Sequence, residues 1–529
     1  MKEENMIRCA ACLVILISLM GLTQNTWLKK RPPWPPTDTI RIESGLISGT
    51  QTENGDLRIF KGIPYATPPV GDLRWKAPQM VEKWEGIRKC NVFGPNAAQL
   101  KPIPFLVFTS EFLIPDHGVS EDCLYLNIWT SAKSNREKRP VVVWIHGGGF
   151  VNGSGSVAIY DGQSMAKKGV IFVTINYRLG IFGFFSLPEL SAESPHHVSG
   201  NYAIMDQIAA LQWVHRNIEA FGGDPDNVTI DGQSAGSMSV NCLVASPRAK
   251  GLFRHAIAES GGIFIPNIFG AMASLKQDEA EGLRMEKLMQ AQSLAELRQI
   301  PAAQLLAKAK IFGYGPTVDG WVLPQSIRQI FEAGKQNDAD LLTGWNADDG
   351  LLLGPPQKAA GYRDQLVLQY GQDAKTFLQF YPAADDSEAA CSQMAFSRDM
   401  IFGVQNYTWA NLQSLKGKVY LYHFARRVPA TGEYVRYGAF HSGEIVYVLD
   451  NLPFLHRPWE EVDRRLSSML SSYWVNFVKT GDPNGQDLPN WPSYQTNKKT
   501  EMLFSETPAA RELPNAPALD FLVHVLSKK

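Results

Sequence analysis

A run of five apolar residues, Val141-Val142-Val143-Trp144-Ile145, stops abruptly at His146-Gly147-Gly148-Gly149-Phe150. A strand with one wet face alternates apolar and polar residues. An unbroken β-branched run instead implies burial on both faces, as in a parallel sheet with helices above and below it. Ile171 to Asn176 is a second such run, and Val228 to Ile230, His255 to Glu259 and Asp340 to Leu342 read as further short buried strands. Val419 to Arg426 is a strongly alternating one. Asn201 to Phe221 carries Ile204, Ile208, Leu211, Val214 and Ile218 at helical spacing, which makes it a crossover helix. Strands alternating with helices predict an α/β fold with a large, mostly parallel, doubly wound central sheet and helices on both faces.

The remaining stretches fit around that sheet. Ile40 to Ser48 and Arg58 to Lys61 read as strands of an antiparallel edge hairpin, with Glu53-Asn54-Gly55-Asp56 as its turn. Residues 62–78, rich in Pro and Gly, form an ordered loop, and Asp122 to Trp129 alternates as a strand does. The segments from about 265 to 335 and from about 355 to 415 are mostly helical, Gln277 to Leu297 among them. They read as insertions walling a gorge. At 529 residues the length alone would suggest several domains of ~150 residues, but large α/β enzymes exceed that prior, and residues 38–529 read as one domain. With 44% apolar and 19% charged residues, the composition is that of a chain with a sizeable core and not that of a disordered one. The net charge of −1 gives no electrostatic case for nucleic acid.

Residues 1–28 read as a targeting segment. A polar start to Arg8 precedes an apolar run of 14 residues, Cys9 to Leu22, which is short for a membrane span and typical of a signal-peptide core. This predicts a secreted or periplasmic protein. Glu3, Glu4, the lack of a clean small-x-small cleavage site and Lys29-Lys30-Arg31 keep an uncleaved membrane anchor, and a buried N-terminal helix, as alternatives. Residues 29–37, with Pro32-Pro33-Trp34-Pro35-Pro36, form an extended linker.

The chemistry centres on Gly232-Gln233-Ser234-Ala235-Gly236, the one Gly-x-Ser-x-Gly in the chain, placed between the Val228–Ile230 strand and an apolar helical segment. A serine held at a sharp strand-to-helix turn needs neighbours without bulk. Its hydroxyl is a poor nucleophile until a base, a group that orients the base, and oxyanion donors are supplied. For the donors, the glycines after Ile145 offer the N–H groups of Gly148 and Gly149, joined by that of Ala235. The rival reading, a phosphate-cradling loop, fails because Asn152 stands where the dinucleotide fingerprint needs Gly and no Walker lysine follows. Nucleophile, acid and histidine follow in that order in α/β hydrolases. Asp348 and Asp349, after the Asp340–Leu342 strand, are both candidates for the acid. Of His423, His441, His456 and His524, the second lies in a loop after the last strong strand, where it can reach the strand ends; the others read as sheet, surface or packing residues.

Several long segments together resemble the type B carboxylesterase/lipase (carboxylesterase/cholinesterase) family of α/β hydrolases. They are FKGIPYATPPVGDLRWKAP (60–78), EDCLYLNIW (121–129), HGGGF (146–150), NYRLG (176–180), the stretch 206–237 around Ser234, DG (319–320), HSGEI (441–445) and NFVKTGDPNG (476–485). The resemblance covers about residues 40 to 505 and implies the α/β-hydrolase fold. It implies Ser234 as nucleophile, His441 as base, Asp349 as acid in a position that is commonly Glu in animal members, and Gly148, Gly149 and Ala235 as oxyanion donors. It also places Gln233, Ser260 and Glu444 around the triad and pairs Cys90 with Cys123 in a disulfide, the pairing an exported chain would allow. That bond would contribute roughly 3–4 kcal/mol in the chain-entropy account. Cys242, in an apolar helical segment, reads as a packed small residue.

Two departures narrow the substrate. Choline-hydrolysing members resemble one another in a Glu before the nucleophile, where this chain has Gln233. They also carry a Trp between the first two cysteines of the globular part, and none occurs between Cys90 and Cys123 here, so that cation–π platform is missing. Phe105 to Phe108, Phe112 to Ile114 and Ile263 to Met272 offer apolar pocket walls. The expectation is a serine carboxylesterase acting on small, uncharged, apolar esters, with no cofactor and no metal. The alternatives are a lipase and a non-catalytic adhesion module of the same fold.

Overall fold

The computed structural model of the chain describes residues 39–104, 109–266, 271–310, 313–350 and 355–528. The targeting segment, the linker, Phe105 to Phe108 and part of the Ile263–Met272 stretch lie outside the described residues. Val141, Val143 and Ile145 pack into one hydrophobic core, while Val142 and Trp144 between them pack into a second. The unbroken apolar run is thus the signature of a sheet with a core on each side.

That sheet has eleven strands. In chain order they are β1 (Thr50–Gln51), β2 (Arg58–Pro64), β3 (Tyr125–Thr130), β4 (Arg139–Ile145), β5 (Ile171–Ile175), β6 (Gly223–Gln233), β7 (His255–Glu259), β8 (Asp340–Asn346), β9 (Val419–Phe424), β10 (Thr500–Phe504) and β11 (Ala509–Glu512). In space the order is β1-β2-β3-β5-β4-β6-β7-β8-β9-β10-β11. Pairings from β5 through β10 are parallel, and those at both flanks are antiparallel. The chain leaves β4 toward β5 and returns to the other side of β4 as β6. This reversal opens a crevice at the carboxyl ends of β4 and β6, the place where open α/β sheets put their ligands. Helices α1 (Tyr202–Asn217) and α2 (Ala235–Ala245) contribute to the first core, and α3 (Glu461–Thr480) covers the opposite face through Leu466, Leu470, Trp474 and Phe477. Thr39–Lys529 form one compact unit. No helix among the described residues is long and apolar enough to cross a membrane.

Three expectations need correction. The edge hairpin around Glu53–Asp56 pairs Thr50–Gln51 with Arg58–Pro64, whereas Ile40–Ile42 turns back on Gly45–Ser48 in a separate sheet with Ile87–Lys89. The helix expected over Gln277 to Leu297 is two, Leu275–Met289 and Leu294–Gln299, the second capped by Ser293. Cys90 and Cys123 form no disulfide; both are buried free thiols. The Cys90 carbonyl accepts the N–H of Lys61, while the chain next to Cys123 meets β2 at its far end, where Tyr65 N–H bonds the Leu124 carbonyl. From Lys61 to Tyr65 an extended chain covers roughly 13 Å, beyond the ~7 Å between Cα atoms that a disulfide can bridge. Cys123 instead lines a small cavity with Ala98 and Arg178. Burial pushes the Cys90 thiol up to about 11.

Candidate active site

The candidate residues come together from the carboxyl ends of the parallel strands and the loops that follow them. Gly147 to Gly149 follow β4, Ser234 follows β6, Ser260 follows β7, Asp349 follows β8 and His441 lies in the loop after β9. The sheet therefore converges five loops on one crevice.

Ser234 has φ 58° and ψ −122°, a conformation that non-glycine residues rarely adopt. Three contacts hold it there. Its N–H donates to the Glu259 carbonyl at 2.9 Å, its carbonyl accepts the Met238 N–H at 2.9 Å, and Ala235 begins α2 directly behind it. The flanking glycines are steric necessities. A Cβ on Gly236 would lie 2.0 Å from the Ile145 carbonyl oxygen, and one on Gly232 would lie 2.6 Å from the Gly236 backbone.

His441 is buried, and its Nδ1 lies 2.8 Å from Asp349 Oδ1. The other oxygen of Asp349 accepts the Ser260 hydroxyl and the Asn346 N–H, each at 2.8 Å. Phe402 stacks on the imidazole with 4.4 Å between ring centroids and 15° between planes. Gln233 brings the imidazole beside the elbow, its Nε2 being 3.4 Å from His441 Nε2 and 3.5 Å from Nδ1. The two adjacent aspartates divide the work. Asp348 accepts the Ala439 N–H at 2.7 Å and donates its own N–H to the Ala439 carbonyl, so it fixes the backbone that leads to His441. His423 is a sheet residue in β9, while His456 and His524 are exposed.

The glycine loop is shaped by its neighbours. Gly148 has φ 109°, and a Cβ there would lie 2.1 Å from the Asn152 carbonyl oxygen. Gly149 has φ 61°. A Cβ on Gly147 would lie 3.1 Å from that of Ser234, so the loop runs tight against the elbow. His146, which starts the loop, stacks on Tyr177 at 4.4 Å and holds Nδ1 2.8 Å from the Gly147 carbonyl. Burial lowers its pKa to about 4, so it is neutral.

Glu444, three residues past His441, is fully buried and accepts from Asn346 Nδ2. Burial, then the nearby charges of Glu259 and Asp349, push its carboxyl well above the usual carboxylate range. Asn346 also donates to the Phe440 carbonyl at 2.8 Å, linking the acid loop to the histidine loop. Sequence reasoning did not single out Asn346 or Phe402. Neither carries a local signal: an Asn at a strand end and a Phe in a helical insertion are both ordinary until the fold brings them to the imidazole. Among the described residues, no group of His, Cys, Asp or Glu could hold a metal ion.

The model of the carboxylesterase family matches residues 36–522. The chain belongs to the carboxylesterase family. It is 36% identical over 485 residues to the para-nitrobenzyl esterase of Bacillus subtilis (strain 168), covering 88% of this chain and 95% of that protein. It is 34% identical over 497 residues to the fumonisin B1 esterase of Sphingopyxis macrogoltabida, covering 90% and 88%. To the human cocaine esterase it is 31% identical over 558 residues, covering 99% and 96%. A solved structure of a PNB esterase superposes on this carboxylesterase-family chain with a TM-score of 0.79 at 32% identity, covering 92% of this chain and 99% of that one.

Proposed function

We propose that the chain hydrolyses uncharged carboxylic esters through an acyl-enzyme on Ser234. The observation that carries this reading is the 2.8 Å Asp349–His441 contact beside the Ser234 elbow. His441 takes the Ser234 proton at Nε2 as Oγ attacks the ester carbonyl, and Asp349 steadies the resulting imidazolium through Nδ1–H. The N–H groups of Gly148, Gly149 and Ala235 receive the oxyanion. Collapse breaks the ester C–O bond, and the alcohol leaves with the proton held by His441. Water, deprotonated by the same imidazole, then attacks the acyl carbonyl, and Ser234 departs with that proton.

The preference for uncharged esters is supported by what surrounds the imidazole. Gln233 is neutral and Phe402 covers the ring. Neither offers a charge to a cationic or anionic substrate. Short-chain p-nitrophenyl esters test the reading: turnover by the wild type but not by Ser234→Ala supports it. Equal, negligible rates in both would return the chain to a non-catalytic binding role. A chain-length series with and without micelles separates an esterase from a lipase. Export is proposed as well, supported by the Cys9–Leu22 run, and the N-terminal sequence of the mature protein tests it.

A further inference from the structure

Below Ser234, on the face of the sheet covered by α3, strand register collects acids that the ester chemistry does not use. Asp231 lies beside Trp144 on β4 and Ile257 on β7. Gln233, two residues on and facing the same way, lies beside Glu259, which is followed across the sheet by Gly344 and Tyr422. The carboxyls of Asp231 and Glu259 therefore enter one layer, and both are fully buried. Trp474 of α3 donates its indole N–H to Glu259 Oε1 at 2.7 Å. Among the described residues, both oxygens of Asp231, Oε2 of Glu259 and the Tyr422 hydroxyl have no side-chain hydrogen-bond partner in the protein, and the backbone of Gly232 lies beside Asp231.

The groups facing this pair are Tyr160, Tyr422, Glu444 and Trp474, with Asp349 beyond Glu444 and His441 beyond Gln233. No Lys or Arg among the described residues forms an ion pair with either acid. Two carboxylates buried on one face of the sheet without a cation are not both expected to stay ionised. A carboxylic acid, in contrast, has an O–H that it can give to a neighbouring lone pair, which a carboxylate lacks. Burial raises both groups well above the usual carboxylate range, and for Glu259 the adjacent Asp231 adds to it.

We propose that Asp231 and Glu259 are positioning residues that act as a proton-sharing pair of acids and, through Trp474, clamp α3 to the end of β7. That strand end serves both halves of the site. The Glu259 carbonyl receives the Ser234 N–H, and the next residue, Ser260, holds Asp349. The proposal rests on the reading of Ser234 and Asp349 given above.

The protonation state has a sign that can be measured. In the unfolded chain both acids ionise near pH ~4, whereas the folded pair keeps its protons. The unfolded state is therefore increasingly favoured as pH rises above ~4. Asp231→Asn and Glu259→Gln remove that penalty. Their Tm advantage over wild type is expected to grow from about pH 5 to about pH 9, with the acidic limb of kcat/KM unmoved. Glu259→Leu removes the Trp474 acceptor and is expected to lower kcat about tenfold at nearly constant KM, while Glu259→Gln stays within about twofold of wild type. The protonated-carboxyl band of the infrared spectrum should diminish in each isosteric variant. A Tm difference that is flat or falls with pH, a kcat/KM limb that shifts, or an unchanged infrared band would overturn the proposal. So would a Glu259→Gln enzyme as impaired as Glu259→Leu. If Glu259→Leu fails to fold, the isosteric variants and the infrared band decide alone. Tm and infrared are read without turnover, so an inactive wild type would sink the esterase reading while leaving the acid pair measurable.

Discussion

Ser260 gives its hydroxyl to Asp349 at 2.8 Å from a backbone held at φ 49°. A serine accepts that left-handed conformation because its own N–H is fixed to the Gly344 carbonyl at 2.8 Å. The acid of the proposed triad is thus oriented from β7, the strand next to its own. A hydrogen bond to a charged group contributes roughly 1.5–3 kcal/mol. Ser260→Ala is expected to reduce kcat about tenfold or more with little change in KM, as read from initial rates on a p-nitrophenyl ester.

Asp349→Asn and Asp348→Ala should separate cleanly. The first leaves the imidazole without its carboxylate, and kcat is expected to fall by about 10³–10⁴. The second removes the acceptor of the Ala439 N–H, and is expected to cost roughly 1–3 kcal/mol of stability while kcat falls far less. Paired kinetics and urea unfolding check this, and the reverse ranking of kcat would reassign the acid.

Gly236 tests the elbow by volume alone. An added methyl would meet the Ile145 carbonyl at 2.0 Å, and the obstacle is backbone rather than a movable side chain. Gly236→Ala is expected to yield no active enzyme, either insoluble or with Ser234 displaced. Gly361→Ala, exposed on the helix Ala359–Tyr370 with helical φ and only the Gln357 side-chain oxygen near, at 3.6 Å, controls for a general intolerance to alanine.

His146 predicts an acid weakness. Its folded pKa, lowered to about 4, lies below the ordinary 6.5. As pH falls below 6.5 the unfolded chain takes a proton that the folded chain refuses. Stability present at neutral pH is therefore lost between about pH 6.5 and pH 4, by roughly 3 kcal/mol in total. His146→Gln should flatten that part of the Tm-against-pH curve, whatever it does at pH 7.

Much of this was legible because the sheet writes itself in the sequence. Buried parallel strands leave apolar runs, and the loops after them carry the glycines, Ser234, Asp349 and His441 in the order the fold demands. Other features were not legible. The Asp231–Glu259 layer depends on register, and only pairing shows that two isolated acids lie on the same face of adjacent strands. Asn406, in an Asn-x-Thr sequon, turns out to be fully buried, accepting the Gly261 N–H at 3.0 Å and donating to Thr343 at 2.7 Å. The Cys90–Cys123 pairing failed because proximity in a motif is not proximity along β2. Asp348 against Asp349 was open from the residues; in the structure Asp349 meets His441 and Asp348 meets the Ala439 backbone.

The rims of the sheet carry one more consequence. β1 is two residues long, and β11 is exposed along all of Ala509–Glu512, with Arg511 reaching inward to Glu501 at 2.7 Å and Glu512 on the surface. Unpaired strand edges are templates on which further chains can add. Here one edge is too short to seed that addition and the other would force a newcomer to bury charge. The same sheet that aligns the site is therefore guarded, at both ends, against growing into an aggregate when the enzyme is concentrated.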